Sequence, residues 1–441
     1  MRQCIEGIGQ MKHPILKGIA VFLGAAIGAG AIWLALANRN PDLNQASVAV
    51  ADSKAQIERG AYLSRQGNCM ACHTARGGTP YAGGRAVPTP FGTVYAPNLT
   101  ADKETGIGNW SSDDFWRAMH DGKSKDGSLL YPAFPYTSFT RITRPDVDAM
   151  FAFFQTLPAV RQKNIEPDLR FPYNQRWLLY GWRALYFTPG SYVQDNKQSV
   201  AWNRGAYLTE GVGHCAACHS PRGDLGGTSL KTELGGGVIP VLSWYAPPLN
   251  GDRDIGLGGW EQQHLTSLLA TGVAPTRAVS GPMGEVVGSS LQYWAPGDID
   301  AMAQYLKSLP KQVTPPAEEQ ESVLPDRQRE IMTAGAKLYE NHCVACHQAD
   351  GKGVQNVYPS LAGSPALNAA GGVNAIHLVL AGGFAPSTAG NPRPYGMPPF
   401  GQALNDNEVA MVLSYVRNTW GNAGNLVSPV EVGKYRSKLG D

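Results

Sequence analysis

Apolar positions along this 441-residue chain fall into two kinds of pattern, one continuous and one periodic. The continuous run comes first. Gly18 to Ala37 (GIAVFLGAAIGAGAIWLALA) is 20 residues without a charge, long enough to cross a bilayer as a helix. Arg2, Lys12 and Lys17 precede it and predict a cytoplasmic N-terminal side, residues 1–17. Ala35-Leu36-Ala37 fits a signal-peptidase site, but a cleaved signal carries a shorter apolar stretch, about 7–15 residues. A retained transmembrane anchor over 18–37 is the expectation. The polar end, Lys434 to Asp441, offers no second anchor.

The periodic pattern is helical and comes in three pairs. A first helix surrounds Arg59-Gly60-Ala61-Tyr62-Leu63, Arg204-Gly205-Ala206-Tyr207-Leu208 and Ala334-Gly335-Ala336-Lys337-Leu338. A last helix is predicted over Val147–Leu157, Ile299–Leu309 and Glu408–Trp420, with Phe153, Tyr305 and Tyr415 at matching places. A glycine inside a helix costs stability, so its presence predicts that another backbone passes close by. The pairs define three modules at 50–160, 200–312 and 328–422. Modules one and two share more, since Gly106-Ile107-Gly108-Asn109-Trp110 parallels Gly256-Leu257-Gly258-Gly259-Trp260. Between them, 161–199 is rich in aromatics (Trp177 to Phe187) and reads as an inter-domain strap, a membrane interface or a subunit contact. Residues 313–327 read as an exposed Pro/Glu-rich linker and 423–441 as a tail.

Composition sharpens this. Charged residues are scarce at 16 %, the formal net charge is +2, and Gly (52) and Pro (32) are abundant. The charge argues against a nucleic-acid partner. The scarcity of charge with so much Gly and Pro fits a loop-rich fold wrapped around a large flat cofactor. The cysteines name that cofactor. Cys69-Met70-Ala71-Cys72-His73, Cys215-Ala216-Ala217-Cys218-His219 and Cys343-Val344-Ala345-Cys346-His347 carry the spacing of c-type haem attachment. Two thiols form thioethers with the haem and the adjacent His is the proximal iron ligand. A thioredoxin-like pair does not need that His, and a zinc site needs a second ligand pair. Six of the seven Cys are consumed, which leaves only Cys4, a reduced cytosolic thiol, and no pair for a structural disulfide.

A first helix with Gly crossing a last helix with an aromatic, around a CXXCH motif, resembles the class I cytochrome c fold. The resemblance implies a mainly α chain of three tandem cytochrome c-like domains behind an N-terminal transmembrane helix. In that family a proline carbonyl receives the other ring nitrogen of the proximal His, and Pro97, Pro247 and Pro359 match. A methionine closes the distal side and raises the potential. Met397 in Tyr395-Gly396-Met397-Pro398 and Met283 in Gly281-Pro282-Met283 match that role. In module one the place falls in Tyr131-Pro132-Ala133-Phe134, and Phe cannot ligate iron. Met119, His120 and Met150 are substitutes, an open site another outcome. His120 is preferred because its counterpart in module two is Ala270.

The stretches RGAYL…CHT, NLT…GIGNW, LYPAFPY, YLKSLP and VLSYVRNTWGN, over about residues 50–425, resemble the trihaem cytochrome c subunit of bacterial membrane-bound dehydrogenases. That family implies three covalent haem c groups, haem domains facing the periplasm at the inner membrane, and electron transfer from a catalytic subunit to ubiquinone. Phe134 and the retained anchor favour a molybdopterin/iron–sulfur aldehyde dehydrogenase as partner. Quinoprotein alcohol dehydrogenase and flavin-dependent gluconate, sorbitol or fructose dehydrogenases are the alternatives. A peroxidase-like haem enzyme with an open first site, or a stand-alone carrier, are readings of other classes. No substrate-oxidising site is expected in the chain itself.

Overall fold

The structure, a computed structural model, describes residues 53–438 except 229–231, 254 and 312–323, together with residues 28–30, 32 and 38. The expected anchor at 18–37 thus falls outside the described residues apart from 28–30 and 32. Among the described residues no helix is long and apolar enough to cross a membrane.

The chain is mainly helical. The principal helices are α1 (Lys54–Gln66), α2 (Ser112–Asp121), α3 (Arg144–Gln155), α4 (Leu179–Tyr186), α5 (Val200–Tyr207), α6 (Gln262–Thr271), α7 (Pro282–Ser289), α8 (Pro296–Ser308), α9 (Pro325–His342), α10 (Val373–Ala381), α11 (Asp406–Arg417) and α12 (Pro429–Lys438). Strands are short and antiparallel, the longest pair being Ala86–Thr89 with Gly92–Tyr95.

Each module is built on one close helix crossing: α1 on α3, α5 on α8, α9 on α11. The glycines explain it. A Cβ on Gly60 would overlap the Ala149 carbonyl, one on Gly205 the Ala301 carbonyl, one on Gly335 the Met411 carbonyl. The last helices begin two or three residues before the apolar pattern does. Pro145 and Pro296 occupy the first turns of α3 and α8, where a missing N–H costs nothing. In α11 the Asn405 side chain accepts from Glu408 N while Glu408 reaches back to Asn405 N.

Modules one and two share a single core, in which Leu63, Ile142, Val147 and Met150 pack with Leu208, Val212, Val287 and Ile299. Module three has its own core of Tyr339, Ile376, Val409, Leu413 and Val432. Two connecting segments are more ordered than their sequence suggests. Asp168–Leu169 adds a strand to Gly92–Tyr95, so the stretch after Val160 still belongs structurally to module one. The tail folds as α12, fixed by buried Val432 and by Arg436 on Asp406 at 2.6 Å.

Candidate functional site

Helix α1 ends at Gln66, and Asn68, at φ 50°, turns the chain into a single helical turn, Cys69–Cys72. A one-turn helix sets residues three apart on one face, so both thiols of the motif point the same way. His214 makes the same left-handed turn before the second motif, at φ 40°. The run from Arg204 to Cys215 is one residue longer than that from Arg59 to Cys69, and a five-residue π turn at Leu208–Val212 absorbs the extra residue.

The motif histidines share one geometry. His73 Nδ1 lies 2.7 Å from Pro97 O, His219 Nδ1 2.7 Å from Pro247 O, and His347 Nδ1 3.1 Å from Pro359 O. A ring held this way donates from Nδ1 and presents Nε2 as the free lone pair, the tautomer a metal requires. Burial lowers all three imidazole pKa values, against the pull of the proline carbonyl, and so favours the neutral ring.

Three glycines with no place in the sequence pattern complete these sites. Gly83, Gly236 and Gly353 each donate a backbone N–H to the carbonyl of the motif His, at 2.8, 2.8 and 3.0 Å. All three have positive φ, between 66 and 80°, and a Cβ on any of them would strike the backbone of the proline segment. They follow their histidines at unequal distances in sequence, so no spacing rule could expose them. Two arginines are equally hidden: Arg85 Nη1 donates to Ala71 O at 2.7 Å, and Arg222 Nη2 to Ala217 O, the same motif position in each case.

At the first cysteine of each motif the environment suits a neutral thioether better than a thiolate. None of the six is in a disulfide. Burial pushes the Cys69 and Cys215 thiols up to about 12 and Cys343 to about 11, with the second cysteine of the motif adding to it. Redox and zinc chemistry need the thiolate, which this burial suppresses, whereas a thioether carries no charge to desolvate. Among the described residues no cluster of three or more His, Cys, Asp or Glu could hold a metal ion.

Of the residues expected as distal ligands, Met283 stands in the first turn of α7 and Met397 on the strand Gly396–Met397, paired with Gly383–Phe384. Both are half-buried against their module cores. In module one, Phe134 follows Leu129 of the Lys123–Leu129 bridge by the same five residues by which Met283 follows Ala278 of the Val273–Ala278 pair. By that offset Phe134 stands in module one where module two carries Met283, and its ring centroid lies 5.4 Å from that of Phe139. His120 is buried on α2, stacked on Trp116 at 4.4 Å, with Nδ1 2.9 Å from Asp121 Oδ1. Met119 and Met150 are packed into the shared core.

Repeated modules with a Gly-notched helix crossing, a CXXCH turn and a proline-held histidine define a c-type cytochrome. The chain belongs to the cytochrome c family: the family model for Cytochrome c matches residues 57–158, 204–310 and 332–420. It is 38% identical over 401 residues to the alcohol dehydrogenase (quinone) cytochrome c subunit of Gluconobacter oxydans (strain 621H), covering 87% of this chain and 83% of that protein. It is 38% identical over 389 residues to the gluconate 2-dehydrogenase cytochrome c subunit of Pantoea cypripedii, covering 85% and 88%. It is 34% identical over 406 residues to the fructose dehydrogenase cytochrome subunit of Gluconobacter japonicus, covering 86% and 82%.

Proposed function

We propose that this chain is the trihaem electron-transfer subunit of a membrane-bound periplasmic dehydrogenase, delivering electrons from a catalytic subunit to ubiquinone. The observation that carries the reading is the threefold recurrence of one site: two cysteines on one helical turn and a His whose Nδ1 is held by a proline carbonyl. Haem iron, when bound, supplies a one-electron ferric/ferrous couple. Cys69 and Cys72, Cys215 and Cys218, and Cys343 and Cys346 hold the three groups covalently. His73, His219 and His347 are the proximal ligands. Pro97, Pro247 and Pro359 orient them. Met283 and Met397 are the sixth ligands of modules two and three.

For module one we propose His120, since Phe134 fills the methionine's position. The favoured catalytic partner is a molybdopterin aldehyde dehydrogenase, supported by that phenylalanine and by the retained-anchor reading of 18–37. Quinoprotein alcohol dehydrogenase is the second reading, supported by the likeness to the alcohol dehydrogenase (quinone) cytochrome c subunit of Gluconobacter oxydans. Detergent extraction of the native membrane should yield the chain with a larger catalytic subunit, three haem masses above the polypeptide, and quinone reduction that the catalytic subunit alone lacks. Fewer covalent haems, or purification as a single chain without detergent, would overturn the reading. In the same material His120→Ala should turn one low-spin haem high-spin, and a wild-type spectrum of three His/Met haems would return module one to Met119 or Met150.

A further inference from the structure

The aromatic connection has two sides with different tasks. Its inward side is a strap. Arg183, 1 % exposed, packs over the Tyr136 and Phe187 rings and donates to Asp121 O at the end of α2. Trp182 Nε1 donates to Leu225 O of module two at 3.0 Å, and Tyr186 lies against Gly227. These contacts account for Trp182, Arg183, Tyr186 and Phe187, and Leu179 is buried with them. They leave the outward side unexplained. Phe171 is 79 % exposed, Trp177 67 %, Leu185 61 % and Tyr180 46 %. Trp177, Tyr180 and Leu185 recur at helical spacing, so they stand on one face of α4 and the turn before it. Folding gains nothing from these exposed apolar side chains, three of which are carried by one short helical segment.

Asn38 identifies what covers it. This residue directly follows the 20-residue uncharged segment. Its side chain donates to Tyr180 O at 3.2 Å and accepts from Arg183 Nε at 3.0 Å. The residue that directly follows the membrane-length segment is therefore bonded to the same helix that carries the uncovered aromatics. On the membrane-anchored reading of 18–37, Asn38 stands just outside the bilayer and the helix bonded to it at the headgroup level. Trp and Tyr favour that level, where an apolar ring can meet acyl chain and a polar edge can meet water. Arg170 and Arg176 flank the patch with the charge that suits anionic headgroups.

We propose that the outward face of Phe171–Leu185 is a lipid-binding surface that lies in the membrane interface. It seats module one, at the Asp121 end of α2, toward the bilayer. This rests on the reading of the chain as membrane-bound and names the surface responsible.

The test is photolabelling from within the lipid. The full-length, haem-loaded complex is reconstituted into liposomes of phosphatidylethanolamine and phosphatidylglycerol, doped with a phosphatidylcholine that carries a diazirine in its acyl chain. Labelled peptides are mapped by mass. Label on peptides spanning 171–186 should exceed by several-fold that on 429–438, whose Val430 is equally open to solvent in the other terminal module. Trp177→Glu with Leu185→Glu should reduce it several-fold with haem content unchanged. Label confined to 18–37 would overturn this surface and leave the membrane reading intact. No label anywhere would overturn both. Protection of 171–186 in the complex, with label appearing only after the catalytic subunit is stripped away, would assign the face to that subunit and overturn the proposal.

Discussion

Modules one and two meet each other very differently from the way module three meets module two. Across the first interface the same bond is made twice, in opposite directions. Arg59 pairs with Asp146 of its own module at 2.5 Å, and Arg204 with Asp298 of its own at 2.7 Å. The tyrosines three residues on cross over: Tyr62 Oη donates to Asp298 Oδ2 at 2.9 Å, and Tyr207 Oη to Asp146 Oδ2 at 2.5 Å. Other contacts follow the same exchange, with Ser289 of module two on Asn68 before the first motif, and Phe139 of module one against His214 before the second. Module three carries Ala334, Lys337 and Glu408 where the others carry Arg, Tyr and Asp. It docks instead through contacts that have no symmetric counterpart. Asn374 bonds the Tyr245 backbone in both directions, His377 stacks on Trp244 at 4.8 Å, and Arg277 reaches Gly363 O at 2.9 Å. A module can thus keep its haem motif and helix crossing while the residues of the Arg–Tyr–Asp exchange are replaced and its core stays separate.

The largest test of this contrast is to overfill the crossings. Gly205→Val should drive α5 from α8 and cost ~3 kcal/mol or more. Because the core is shared, calorimetry should show modules one and two failing together. Gly335→Val should abolish only the transition of module three, with two haems still incorporated. Independent loss of module two after Gly205→Val would break the shared-core account.

Next in size is Asp298→Ala, which strands Arg204, Tyr62 and Gln66 at once. Asp298 is 14 % exposed and Arg204 32 %, so the loss should fall near 2–3 kcal/mol, below the range for a fully buried pair. Denaturant titration should place it in the joint transition of modules one and two, with module three unmoved. Tyr62→Phe and Tyr207→Phe should each cost about 1 kcal/mol. Their effects should add, since they meet different carboxylates. A coupling energy well above experimental error would show that the two Asp sites are one network.

The smallest effect is with pH. Burial raises the Asp298 carboxyl, but the Arg204 bonds and charge, helped by Tyr62 and Gln66, outweigh it and hold the group below the usual carboxylate range. Its folded pKa is depressed, so the stabilisation is fully present above the unfolded value of about 4 and is lost as pH falls through the folded one. Thermal scans below about pH 4 should lower the joint transition, and Asp298→Asn should flatten that slope.

The sequence shows some of this directly and hides the rest for identifiable reasons. Gly60, Gly205 and Gly335 announce the helix crossings because a glycine in a helix has few other uses, and the proline partners of the motif histidines repeat in a recognisable Tyr-x-Pro setting in modules one and two. The starts of α3 and α8 lie earlier than the apolar pattern puts them, because their first turns carry polar residues and a proline, and in α3 the polar Arg144 and Asp146 are buried by ion pairing and not by apolar character. Gly83, Gly236 and Gly353 could not be found, because loops of different length bring them to one place. The Tyr–Asp exchange is invisible for another reason: Arg-Gly-Ala-Tyr-Leu reads as a repeat within modules, and only the fold shows that its Arg stays at home while its Tyr leaves.

That exchange has a consequence for how such a chain could be taken apart. When each half gives the same hydroxyl to the same carboxylate of the other, the contact is self-complementary, as in a twofold dimer of identical subunits. Here the two halves are joined head to tail by residues 161–199, and the pseudo-axis runs between α1 and α5. A protein cut down to one module and keeping Arg, Tyr and Asp would present both halves of its own missing interface. It would find its complement in another copy of itself, so the tether sets the local concentration of a partner that the surface already specifies.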